Sequence, residues 1–174
     1  MGTRRTKEPE NASAPTRLGG DIRIGPIPKS GGLAHAHFQQ AAENIVSEWL
    51  KRRAAVGQDE SSTSWFKRNL YRLIKAYVDA GDQSVLLAIA KRSGRAQVGL
   101  HQIAENPFKL ALFGMWSDNA SLTRQQQRVF GEQMLYAYRH DVPPEHLIGF
   151  IRVAGNYNVI SQKLRDGARE PGFD

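Results

Sequence analysis

Cysteine is absent from the chain, which excludes a disulfide framework, a thiolate nucleophile and a Cys-ligated zinc site. No run of apolar residues is long enough to cross a bilayer, so no membrane partner is expected. The opening residues Met1 to Glu10 carry charge but lead into no apolar stretch of the secretory kind, and a cytoplasmic location is the expectation. Convincing strand-type alternation is missing between Leu33 and Gly167, as is any fixed-period repeat. The short motifs of common enzyme classes are lacking too: no Gly-rich phosphate loop with its lysine, no HExxH zinc motif and no nucleophile elbow. His35 and His37 lie two apart, which on a helix turns them to different sides and makes a poor metal pair. Glu145 beside His146 reads as a helix start, where an acid suits the dipole. Glu43, Glu48 and Glu132 offer the carboxylate of a helical glycosidase, but nothing marks a partner for them. The expectation is a protein that is not an enzyme and has no cofactor and no metal.

What is present is positive charge. Across 174 residues, 24 basic against 17 acidic side chains give a net charge of +7 and a pI near 9.9, which favours polyanionic partners through long-range attraction. The length suits one domain plus a tail. Residues 1–32 are rich in glycine and proline with scattered Arg and Lys, and read as a flexible basic tail. Within it Ile22, Ile24 and Ile27 alternate around Arg23 and Gly25, an extended pattern that suits docking against the domain or a partner as well as it suits disorder.

From Leu33 a helical period takes over. Phe38, Ala41, Ala42, Ile45, Val46, Trp49 and Leu50 form one stripe, closed by Lys51, Arg52 and Arg53 in the last turn and by Gly57. Thr63 or Ser64 caps a second helix with Phe66, Leu70, Leu73, Ile74, Tyr77 and Val78 on one face and Lys67, Arg68, Arg72 and Lys75 on the other. With Trp65 nearby, that basic face reads as solvated or as a surface that tracks a nucleic-acid backbone. Asp82 caps the next helix, which stops at Gly94; helix resumes from Ala96 to Glu105 and breaks at Asn106 and Pro107. Phe108 to Trp116 suits a buried helix. Further helices begin at Ser121 or Thr123 and at Pro143 and Pro144, and a last one ends at Gly167. Trp49 and Trp116 fall on apolar stripes and read as core. The sum is an all-α fold, a compact bundle of about seven helices with a disordered N-terminal tail. Its single domain spans 33–167 and its C-terminus, 168–174, is frayed.

Residues 86–105 carry the most specific spacing. Ala90, Gly94, Leu100 and Ile103 stand in the small, turn, apolar, apolar order of two short helices packed across a tight turn, and the segment resembles a helix-turn-helix DNA-binding motif. The resemblance implies a supporting helix from Leu86 to Ser93 and a recognition helix from Ala96 to Glu105, with Ile89, Ala90, Leu100 and Ile103 facing inwards. It implies that Gln97, His101 and Gln102 approach base edges while Lys91, Arg92 and Arg95 contact phosphates, with DNA favoured over RNA as the target. Two features depart from the pattern: Arg95 follows the turn glycine where an apolar residue is usual, and Gly99 sits inside the recognition helix at a cost of about 1 kcal/mol relative to alanine. A homodimer would double the contacts, though no self-complementary stripe identifies its interface. A second helix, glycine, helix arrangement at Phe150 to Leu164 is one residue off the spacing; it reads as a structural hairpin, with contact to nucleic acid through Arg152, Asn156, Tyr157, Asn158 and Lys163 as the lesser alternative.

The leading expectation is therefore a small nucleic-acid-binding protein, a DNA-binding regulator or accessory factor. The alternative is a helical protein-protein interaction module, an adaptor, antiactivator or assembly factor, that holds its protein partner through the tail or through Leu110, Phe113 and Trp116 in the apolar run.

Overall fold

Short polar side chains set several of the helix starts. Ser61 Oγ accepts a hydrogen bond from the Ser64 amide at 3.1 Å, and Asn156 Oδ1 accepts one from Val159 N at 3.1 Å. Thr123 and Gln126 form a reciprocal capping box, at 3.1 Å from Gln126 N to Thr123 Oγ1 and 2.9 Å from Thr123 N to Gln126 Oε1. Asn106 Oδ1 takes the amides of both Phe108 and Lys109 at 3.0 Å, and Pro107 fills the first helical position, where no amide hydrogen is needed. In a computed structural model that describes residues 20–55, 57, 60–93, 99–115 and 122–173, these signals produce eight α-helices and no strand among the described residues. They are α1 (Gly31–Ala54), α2 (Ser62–Asp79), α3 (Gln83–Arg92), α4 (Leu100–Ile103), α5 (Pro107–Met115), α6 (Arg124–Arg139), α7 (Leu147–Ala154) and α8 (Tyr157–Asp166), with a 3-10 turn at Pro144–His146 before α7. The fold is all-α, as the periodicity predicts, and no described helix is long and apolar enough to cross a membrane.

The core lies where α1, α2, α3, α5 and α6 meet. Phe38, Ile45 and Trp49 of α1 face Phe66, Leu70, Leu73 and Tyr77 of α2, all of them buried, with Trp49 stacked on Phe66 at 4.4 Å between ring centres. Buried hydroxyls find acceptors: Tyr71 donates to the Val142 carbonyl and Tyr77 to that of Ala34, each at 2.8 Å. Because the single Tyr77 proton goes to Ala34, His37 Nδ1 must be the donor in its 2.8 Å contact with Tyr77 Oη. Two glycines let helices touch. A Cβ on Gly114 would stand 2.6 Å from Ile89 Cγ2 and 2.9 Å from Ala90 N, where α5 crosses α3. One on Gly131 would stand 2.5 Å from Lys109 Cγ, where α6 crosses α5.

At the N-terminal end the structure takes the docked reading of the alternating isoleucines, and at the C-terminal end it differs from the frayed reading. Residues 1–19 lie outside the described residues, but Gly20 to Ser30 form an extended strap on α1 and α2 rather than a loose tail. Ile22, Ile24 and Ile27 are half-buried against the core, and Ile22 N donates to Asn69 Oδ1 at 2.8 Å. The C-terminal stretch is tied down instead of frayed. Glu170 N donates to His140 Nε2 at 2.9 Å, Arg169 reaches the Arg139 and Phe173 carbonyls at 3.0 and 2.9 Å, and the Phe173 ring meets those of His140 and Phe150 edge-on at 5.5 Å. On the α1 stripe, Leu50 falls on the outer edge and is exposed.

Candidate nucleic-acid interface

The corner that carries the helix-turn-helix resemblance is positioned by α3, which packs along α5 across Gly114. Val85, Leu86, Ile89 and Ala90 are buried in that contact. The same helix turns Lys91 and Arg92 to the surface in its last turn, where positive charge also suits the helix dipole. Residues 94–98 lie outside the described residues, and with them Gly94, Arg95 and Gln97. Gly99 has φ +82° and precedes one turn of helix, α4. Leu100 is buried and Ile103 half-buried against the core, while His101 and Gln102 are exposed. Asn106 N donates to the Ile103 carbonyl at 3.0 Å, and Asn106 Nδ2 donates to the Gly131 carbonyl at 3.2 Å, which anchors the corner to α6.

A recognition helix running unbroken from Ala96 to Glu105 is not what forms. The reason is Gly99: a left-handed φ cannot belong to a right-handed helix, and glycine adopts it without steric cost. Among the described residues the helical part is Leu100–Ile103, which leaves His101 and Gln102 as the outward pair.

The second segment read as a hairpin, Phe150 to Leu164, folds as α7, a glycine with φ +117° and α8. Arg152 and Asn158 are exposed, but the other polar residues have local work. Asn156 caps α8, Tyr157 lies under the Arg128 guanidinium at 5.5 Å, and Lys163 Nζ donates to Glu170 Oε1 at 2.6 Å and to the Ala154 carbonyl at 2.9 Å.

The basic side of α2 is half-buried and its cations are engaged within the chain. Lys67 Nζ donates to Gln133 Oε1 at 2.8 Å and sits 4.2 Å above the Phe130 ring, and burial pushes its ammonium down to about 8. Arg68 pairs with both Asp21 and Glu60, Arg72 with Asp21 at 2.9 Å and Lys75 with Asp79 at 2.8 Å. Trp65 is 1% exposed, with the Arg52 guanidinium 4.4 Å from its ring centre, so no base can stack on it. The strap residue that occupies this face, Asp21, lies 47 positions before Arg68 in the chain, and only the alternating isoleucines beside it hint at the docking.

Of the residues considered for a partner surface, Leu110 is 3% exposed and Phe113 packs against the core, while Trp116 lies outside the described residues. The carboxylates considered for catalysis are tied to cations or lie apart. Glu48 faces Arg52 at 3.3 Å, and Glu43 is exposed on α1. Burial desolvates Glu132, yet the Lys109 ammonium at 2.7 Å together with Ser161 and Tyr157 outweighs that and holds its pKa below the usual carboxylate value. Among the described residues no group of three or more His, Asp or Glu side chains is arranged to hold a metal. The chain matches no protein-family model, no curated protein and no solved structure.

Proposed function

We propose that this chain is a nucleic-acid-binding protein, with DNA before RNA as its target, and that it binds through the end of α3 and α4, with Arg95 and Gln97 lying between them in the sequence. The observation that carries the reading is the partition of side chains there. Leu86, Ile89, Ala90 and Leu100 are buried, while Lys91, Arg92, His101 and Gln102 are exposed, the in-and-out arrangement that a helix corner needs to meet a groove. The net charge of +7 supports it independently. A single turn at α4 offers little length for base reading, so phosphate contacts from Lys91, Arg92 and Arg95 supply most of the affinity and His101, Gln102 and Gln97 the preference. The alternative, a protein-interaction module built on Leu110, Phe113 and Trp116, draws no support from a core-buried Leu110.

An electrophoretic shift series tests the assignment. Arg92→Ala and Arg95→Ala should weaken binding to all duplex sequences alike, whereas Gln97→Ala and His101→Ala should change the ranking of sequences more than the mean affinity. Variants of Arg92 and Arg95 that bind as the wild type does would exclude this corner as the binding site.

A further inference from the structure

The Asp21 carboxylate is held by four nitrogens. Arg68 Nε reaches both of its oxygens at 3.1 Å, Arg68 Nη2 reaches Oδ1 at 2.7 Å, Asn69 Nδ2 reaches Oδ1 at 3.1 Å, and Arg72 Nη2 reaches Oδ2 at 2.9 Å. This is more than a surface ion pair, because the donors are fixed by contacts that do not involve Asp21. Asn69 is 1% exposed and its amide also donates to the Trp65 carbonyl at 2.8 Å, while its Oδ1 accepts from Arg72 Nη1 at 3.1 Å. Arg68 is gripped by Glu60 through both terminal nitrogens. Two guanidiniums and a buried amide arranged in this way form a seat for an oxyanion, carboxylate or phosphate alike.

The seat belongs to a row. Positions 68, 72 and 75 fall on one face of α2 and span about 10 Å. That length covers more than one phosphate of a strand whose charges come every ~3.4 Å of axis. Around the row stand four cations, Lys67, Arg68, Arg72 and Lys75, against three carboxylates, Asp21, Glu60 and Asp79. Asp21 is the only carboxylate that the strap between Gly20 and Ser30 contributes. The strap is extended without forming a strand; half-buried Ile22, Ile24 and Ile27 and the Ile22 amide secure it.

We infer that the Arg68, Asn69 and Arg72 seat is a second phosphate site for nucleic acid, held closed by the strap, whose Asp21 carboxylate stands where a backbone phosphate binds when the strap gives way. This rests on the nucleic-acid reading of the protein and adds to it a site away from the α3–α4 corner together with an internal competitor for that site.

The test is fluorescence anisotropy of a labelled mixed-sequence duplex DNA with the full chain as wild type, Asp21→Ala, Asp21→Asn and Asp21→Ala/Arg72→Ala. Glu43→Ala serves as a control for loss of an exposed acid elsewhere, and circular dichroism checks each fold. Asp21→Asn keeps the shape of the strap, so it carries the test if the alanine variant loosens the fold. Both single Asp21 variants should bind roughly three- to tenfold tighter at low salt, with a log-log salt slope steeper by about 0.9 for each phosphate admitted. Arg72→Ala in the Asp21→Ala background should return both to the wild-type values, and Glu43→Ala should change little. Wild-type binding with no gain in the Asp21 variants, or an equal gain from Glu43→Ala, overturns this inference while leaving the corner reading intact, and assigns the seat to a polypeptide carboxylate such as its present occupant. An Arg72-dependent gain in Asp21 variants of a wild type that does not bind upholds the inference and removes the corner. Absence of binding in every form overturns both.

Discussion

Lys67 has two partners, the Gln133 amide oxygen and the face of Phe130, and neither is a carboxylate. Desolvation therefore prevails and lowers its pKa from 10.5 to about 8. The sign of the consequence follows from proton counting. Below about pH 8 the ammonium is charged in both the folded and unfolded chain, and its burial cost is present in full. Between about 8 and 10.5 the unfolded chain binds the proton more tightly, so stability rises with pH. Urea unfolding of the wild type and of Lys67→Met at pH 8 and pH 10 should show the wild type gaining on the variant as pH rises; a constant difference would contradict the assignment. His140 is buried with both ring nitrogens hydrogen-bonded. Its Nδ1–H donates to the Tyr136 carbonyl at 2.7 Å and its Nε2 accepts the Glu170 amide at 2.9 Å, which sets the ring's orientation and joins the C-terminal stretch to α6.

Helices of this fold are set by caps and by faces, and their closest approaches by glycine. Alanine at an ordinary helical glycine gains up to about 1 kcal/mol of propensity. Gly149, exposed on α7 with nothing within 4 Å of where an alanine methyl would stand, meets that condition. Gly149→Ala should stabilise by about 0.5–1 kcal/mol. Gly114→Ala should instead destabilise by about 1–3 kcal/mol, because the methyl would meet the Ala90 backbone nitrogen at 2.9 Å, and α3 cannot retreat without uncovering Ile89 and Leu86. Chemical denaturation of the two variants side by side checks the pair, and equal effects would contradict it. At this scale most of the architecture was legible. Phe38, Ile45 and Trp49 keep the three- and four-residue spacing that buries them, and Pro143, Pro144, Gly155 and Gly167 punctuate the last helices where expected. Gly99 was legible only as a weak helix residue. Its left-handed φ depends on how Leu100 and Asn106 are anchored in the core, which no local pattern encodes. The cap of α2 is Ser61, two or three residues before the expected Thr63 or Ser64, because the side chain that reaches an N3 amide decides among neighbouring hydroxyls.

For the whole molecule, two aperiodic segments matter as much as the helices. The strap brings Asp21 to Arg68 over 47 positions, and the C-terminal stretch brings Glu170 to Tyr136 and Lys163. The Asp21–Arg68 and Tyr136–Glu170 contacts have no sequence signature, since partners 47 and 34 positions apart carry no periodicity that would pair them. Together the two segments convert part of the apparent basic surface into internal ion pairs. At the α3–α4 corner, Lys91 and Arg92 at the end of α3 and His101 and Gln102 on α4 are exposed. We propose that the net charge of +7 serves to hold nucleic acid at this corner. The most direct test of this claim is the affinity of the wild-type chain for a mixed-sequence duplex DNA as salt is raised from about 50 to 200 mM. Measurable binding is expected at low salt, with a linear fall of log affinity with log salt whose slope becomes shallower by about 1.8 when Lys91 and Arg92 are both alanine. Binding that is absent at low salt, or that keeps the same slope in the double variant, would contradict the claim.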